Sequence, residues 1–113
     1  MPHRFRRLPN DTFEVQSGIH RYTTPWFLLE SPKGVARKLP DGRFKVVLNG
    51  EEPFTATGSA LRSQGIRSRR FLGRVVPAGP DAHQEAEDSV RRFEGPARRL
   101  YNTKRRNGVK TAL

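Results

Sequence analysis

Apolar residues gather into short β-prone runs in the middle of the chain, each bounded by turn-forming residues. Lys33-Gly-Val-Ala-Arg-Lys38 and Arg43-Phe-Lys-Val-Val-Leu48 flank Leu39-Pro-Asp-Gly42. Pro presets φ, Asp bonds nearby backbone and Gly takes the positive φ, so this cluster predicts a tight reversal between two antiparallel strands. Asn49-Gly50 follows at once and supplies a second tight turn. Residues 51–68 are polar and dotted with Gly and Ser, and without a sustained period they read as an irregular insertion. A third short strand is expected over Arg69–Val76.

Beyond Pro77-Ala-Gly-Pro80 the period changes. Ala82, Ala86, Val90 and Phe93 recur at helical spacing and share one face. Asp81 reads as the N-cap with Gln84 three residues on, Glu85, Glu87 and Asp88 lie toward the positive end of the dipole, and Arg91 and Arg92 lie toward the other. Gly95-Pro96 is expected to stop the helix. Earlier in the chain Thr12-Phe-Glu-Val15 alternates, and Thr23–Leu29 holds the single Trp. Trp26, Phe27 and Leu28 are expected to dock on the small domain or on a partner, because a lone β-β-β-α unit leaves its core thinly covered. The fold class is therefore α+β, a three-stranded antiparallel sheet packed on one helix. The division is a basic and apolar arm over 1–32, a domain over 33–95 with its insertion at 51–68, and a basic tail over 96–113.

Charge adds a partner to this picture. Lys and Arg number 22 against 11 Asp and Glu, a formal charge of +11, more than solubility alone requires. Such an excess repels itself unless a polyanion neutralises it. Seventeen of the cations are Arg, whose planar fork pairs with phosphate oxygens and stacks on bases, so a phosphodiester backbone fits best. The charge comes in blocks: Arg4, Arg6, Arg7 and Arg21; then Arg62 to Arg74 without an acid; then Arg91 to Lys110 with only Glu94 opposing.

Other chemistries find little support. No run approaches the length of about 18 apolar residues that a membrane span needs. Cys is absent, and His3, His20 and His83 make no metal-ligand spacing, so neither metal nor cofactor is expected. Glu51-Glu52 and Glu87-Asp88 are adjacent in sequence and need not converge, while Ser59, Ser63 and Ser68 lack a recognisable base, so no enzymatic activity is expected. The stretch from Met1 to Leu8 is basic and free of acid, as organellar targeting segments are. Mitochondrial location is the expectation, with nucleus or cytoplasm as alternatives.

Gly34-Val35, Gly42-Arg-Phe-Lys-Val-Val-Leu48, Asn49-Gly50, Phe71-Leu-Gly73, Ala82, Ala86 and Phe93-Glu-Gly-Pro-Ala97 with Leu100-Tyr-Asn102 together resemble the AP2/ERF domain over about residues 33–102. The resemblance implies three antiparallel strands on a helix, with a sheet face that enters the DNA major groove. That face would carry Ala36 and Lys38, then Lys45, Val47 and Asn49, then Arg69 and Phe71. Ala36 and Val47 stand where the family has an Arg and a Glu, and neither can read base edges. AP2-like domains also recur as subunits of divergent protist mitochondrial ribosomes, which offers a second use for such a core.

The expected partner is therefore RNA, ribosomal RNA first, together with neighbouring proteins of a ribonucleoprotein particle. A sequence-specific DNA-binding factor, or a phage or mobile-element module, is the alternative. Candidate phosphate contacts are Arg4, Arg6, Arg7, Lys38, Lys45, Arg62, Arg67, Arg69, Arg70, Arg98, Arg99, Lys104, Arg105, Arg106 and Lys110. Phe5, Tyr22 and Tyr101 are candidates for stacking on unpaired bases.

Overall fold

The computed structural model describes residues 4–94. The chain runs through strands β1 (Arg4–Arg7), β2 (Phe13–Ser17), β3 (His20–Thr24), β4 (Phe27–Ser31), β5 (Gly34–Lys38), β6 (Phe44–Leu48) and β7 (Phe54–Ala56). A short helix α1 (Gly58–Ser63) follows, then β8 (Arg67–Ser68), β9 (Arg70–Phe71) and β10 (Arg74–Val75), and a second helix α2 over residues 80–94. The fold is α+β, but with more than the three strands expected.

The central hairpin forms as the turn chemistry dictates. β5 and β6 pair antiparallel, Gly34 opposite Leu48 and Lys38 opposite Phe44. The Gly42 N–H donates to the Leu39 carbonyl at 2.9 Å and the Arg43 N–H to Asp41 Oδ1 at 3.0 Å, while Gly42 takes φ 91°. The hydrogen bond from the Arg43 backbone, with that from the Arg43 side chain second, holds the Asp41 carboxyl below its ordinary value. Asn49-Gly50 closes the next turn, where the Glu51 N–H reaches the Leu48 carbonyl at 3.1 Å.

The hairpin is the middle of a five-stranded sheet ordered β7-β6-β5-β4-β8, and both of its faces are covered. One face presents Leu29, Ala36, Val46 and Leu48 to Leu61 of α1 and to Ile66, with Phe27, Phe44 and Phe54 beside them. The other presents Val35 and Val47 to Trp26, Ala78 and Ala86, with Leu28, Ala82 and Val90 partly buried against them. The insertion at 51–68 is thus not irregular: β7 extends one sheet edge, α1 covers a face and β8 forms the opposite edge. α1 is a helix of only six residues, capped by the Thr57 hydroxyl accepting from the Ala60 N–H at 3.1 Å, too short to display a period.

The stretch expected as an arm, 1–32, contributes four strands. β1, β2 and β3 form an antiparallel meander, with Gly18 taking φ 63° between β2 and β3. Its inner face buries Phe13, Val15 and Thr24. β4 joins the main sheet, and Trp26 just before it is among the most deeply buried side chains. The docking expected of Trp26 is thereby met within the chain.

Two boundaries move. The expected strand over Arg69–Val76 is a hairpin, β9 pairing Phe71 with Arg74 and Arg70 with Val75 of β10. α2 begins at residue 80, with the His83 N–H bonded to the Gly79 carbonyl at 2.8 Å. Pro80 therefore takes the first helical position, where its missing N–H costs nothing, and Asp81 lies inside the first turn instead of capping it. Ala86 is buried while Phe93 is exposed. The Gly95-Pro96 stop and the tail over 96–113 lie outside the described residues.

Candidate functional site

The meander and the β9–β10 hairpin face each other across a groove of about 580 Å³. Phe5, Val15 and Tyr22 come from one rung of the meander, since Phe5 pairs with Val15 and Val15 with Tyr22. Arg69, Arg70 and Phe71 come from the other wall, and Leu28, Val76, Pro77 and Pro80 also line it. Among the described residues its lining holds no acid.

Its position is fixed by hydrogen bonds. The Tyr22 hydroxyl donates to the Ala78 carbonyl at 2.8 Å, tying the meander to the segment that leads into α2. Burial raises the Tyr22 pKa above its ordinary value, which keeps the donating hydroxyl neutral. On the opposite wall the Arg69 N–H donates to the Leu28 carbonyl at 2.9 Å and the Arg69 carbonyl accepts from the Val76 N–H at 3.1 Å. The Arg69 backbone is thus spent on β-type pairing, and the residue remains exposed. Phe5, Tyr22, Arg69 and Arg70, expected separately, meet at this groove.

The hairpin tip is unusual. Leu72 and Gly73 form a two-residue loop with φ 52° and 81°, the signs of a type I′ turn, whose first central position favours Asn, Asp or Gly. Left-handed backbone costs a side chain such as Leu about 1–2 kcal/mol. Leu72 is nonetheless 86% exposed and Phe71 64% exposed.

The other candidates are dispersed. Arg4 and Arg21 stand across Gln16 on the outward face of the meander, where Arg6 pairs with Glu14 at 2.9 Å. Arg7 holds Asp11 at 2.7 Å; that hydrogen bond, with Lys38 and Arg7 adding charge attraction, keeps the Asp11 carboxyl below its ordinary value. Arg62 and Arg67 are exposed, in α1 and in β8. Lys45 is turned inward and pairs with Glu94 of α2, so it is engaged within the fold. Nor does the expected open sheet face form. Ala36 pairs with Val46 rather than sharing a face with Val47, and both Ala36 and Val47 are buried. Arg98, Arg99, Lys104, Arg105, Arg106, Lys110 and Tyr101 lie outside the described residues.

Several structural links gave no separate sequence signal. The Trp26 indole N–H donates to Glu87 at 2.7 Å, and Arg37 lies over the Trp26 ring at 5.8 Å. The Thr24 hydroxyl accepts from the Trp26 N–H at 3.1 Å and meets His83 Nδ1 at 2.7 Å. The bonds to Glu87 and His83 tie α2 to the end of β3 and to the Trp26 segment that leads into β4. A second cavity, between α2 and the ends of β4–β6, mixes Glu30 and Glu85 with Lys33 and Arg69, a lining less suited to a polyanion.

Among the described residues no helix is long and apolar enough to cross a membrane. Fold and site define an α+β protein with an arginine-walled aromatic groove. No protein family, curated protein or solved structure matches the chain.

Proposed function

We propose that the protein binds RNA as a structural subunit of a ribonucleoprotein particle, with a mitochondrial ribosome as the setting to which the resemblance to AP2-like domains and the acid-free basic stretch Met1–Leu8 point. The observation that carries this reading is the groove, where Phe5, Tyr22 and Phe71 stand beside Arg69 and Arg70 with no acid among the described lining residues. Aromatic faces stack on unpaired bases of any sequence, and guanidinium groups take the flanking phosphates in pairs. Unpaired bases are the common targets of RNA recognition, whereas the bases of a regular duplex are already stacked. Covered sheet faces argue against entry of this sheet into a major groove, which weakens the case for sequence-specific DNA reading.

Fluorescence anisotropy with single-stranded RNA and with duplex DNA tests the proposal. Single-stranded RNA should bind more tightly than mixed-sequence duplex. The double variant R69A/R70A should bind it less tightly, with a salt slope smaller by about 0.7 for each phosphate that is no longer neutralised. Phe71→Ala should cost about 1–3 kcal/mol of binding without unfolding the protein, since the ring is largely exposed. Tighter binding to one duplex DNA sequence than to any RNA would overturn the reading, and failure of the endogenous protein to co-sediment with ribosomal RNA would remove its ribosomal part.

A further inference from the structure

We infer that the β9–β10 hairpin is a wedge whose Leu72 side chain inserts into a stack of RNA bases, an inference that rests on the RNA-binding reading above. Local preference and actual residue conflict at the tip. Leu72 occupies backbone that disfavours a branched side chain and gains no burial in return. Asn or Gly at the same place would make a better turn and a more soluble surface. Backbone strain of this kind clusters at functional sites and ligand clamps.

The surroundings indicate what that is. Phe71 and Leu72 form an exposed apolar tip, flanked by Arg69, Arg70 and Arg74, and the chain from Arg62 to Arg74 contains no acid. The tip is thus an apolar projection carried between cations. Apolar wedges of Leu or Phe part base steps and kink duplex DNA, and a stack of RNA bases flanked by phosphates offers the same surface to such a tip. Arg69, Arg70 and Phe71 also line the groove, so a base displaced by Leu72 would have an aromatic surface immediately beside it. A hairpin can enter a stack from one side without moving the sheet, because among the described residues β9 and β10 pair only with each other, apart from the bonds at Arg69 and Val76.

The test uses the full chain, an RNA hairpin carrying a single bulge, and 2-aminopurine beside the bulge, whose emission rises when it unstacks. Wild-type protein should raise that emission on binding. Leu72→Asn should bind the same RNA within a few-fold of wild type, judged by anisotropy, yet lose the rise; because Asn tolerates the left-handed backbone, it should melt at or above the wild-type temperature. Wild-type binding with unchanged emission would overturn the wedge and leave the RNA reading standing. A rise that persists in L72N would overturn it equally. Failure of the wild type to bind any RNA would remove both, and Leu72-dependent sedimentation with anionic phosphatidylserine vesicles, without an effect on RNA, would assign the tip to a lipid surface instead.

Discussion

Tyr22 shows how one side chain can join two parts of a small protein. Its ring lines the groove while its hydroxyl reaches the Ala78 carbonyl, so the ring serves the groove and the hydroxyl serves the fold. Tyr22→Phe keeps the ring and removes the donor; it should cost about 1 kcal/mol, the ordinary net worth of one hydrogen bond, measured by urea unfolding. pH supplies a second readout. Burial raises the folded-state pKa, so the stability tied to the neutral phenol is complete below the ordinary value of 10.0 and is lost as pH rises through the higher folded value. The Tyr22→Phe protein should lack that part of the alkaline loss, and an unchanged alkaline profile would show that the hydroxyl contributes nothing there. Asp11 and Asp41 run the opposite way: their carboxyls are held low by Arg7 and Arg43, so what they contribute is present above 3.8 and fades as pH falls through the lower folded values.

At the scale of elements, the pairing of β5 with β6 leaves no room for a side chain at Gly34. A methyl group on Gly34 would run into the Val47 carbonyl oxygen and lie 2.8 Å from Leu48 Cα, both backbone atoms that cannot step aside. Gly34→Ala should therefore destabilise by about 1–3 kcal/mol, the usual cost of overpacking, with a matching drop in thermal midpoint; no drop would show that the strands separate more easily than their register implies. The same hairpin is the most legible part of the sequence, because Pro40, Asp41 and Gly42 encode a turn by local chemistry alone. Elements whose identity depends on distant pairing are not legible. β1 carries three Arg and one Phe, and only its partner β2 makes a strand of it. α1 is too short for a helical period to reveal it. The start of α2 precedes the position that Asp81 as a cap would set, because Pro80 itself fits the first turn. Face assignment fails for a further reason: alternation orders residues within a strand, but the register between strands decides that Ala36 opposes Val46.

For the molecule as a whole, the excess of cations can be read without any fold, since a count needs no geometry. The structure sorts them. Arg6, Arg7 and Arg43 are engaged with acids on the surface and Lys45 with Glu94, while Arg69 and Arg70 stand at the groove. Phe5 and Tyr22 stand out by their basic neighbours, but their meeting with Arg69 depends on how the meander folds back toward the hairpin. That meeting has a mechanical side. The two walls come from segments far apart in the chain and belong to different sheets, so whatever fills the groove acts as a noncovalent crosslink between them. A bound oligonucleotide should raise the melting temperature as its concentration climbs past Kd, with about 2.7 kcal/mol of added stability at a hundredfold excess. Amide exchange at Phe5 and at Phe71 should slow together under the same conditions, two distant parts of the chain reporting one event.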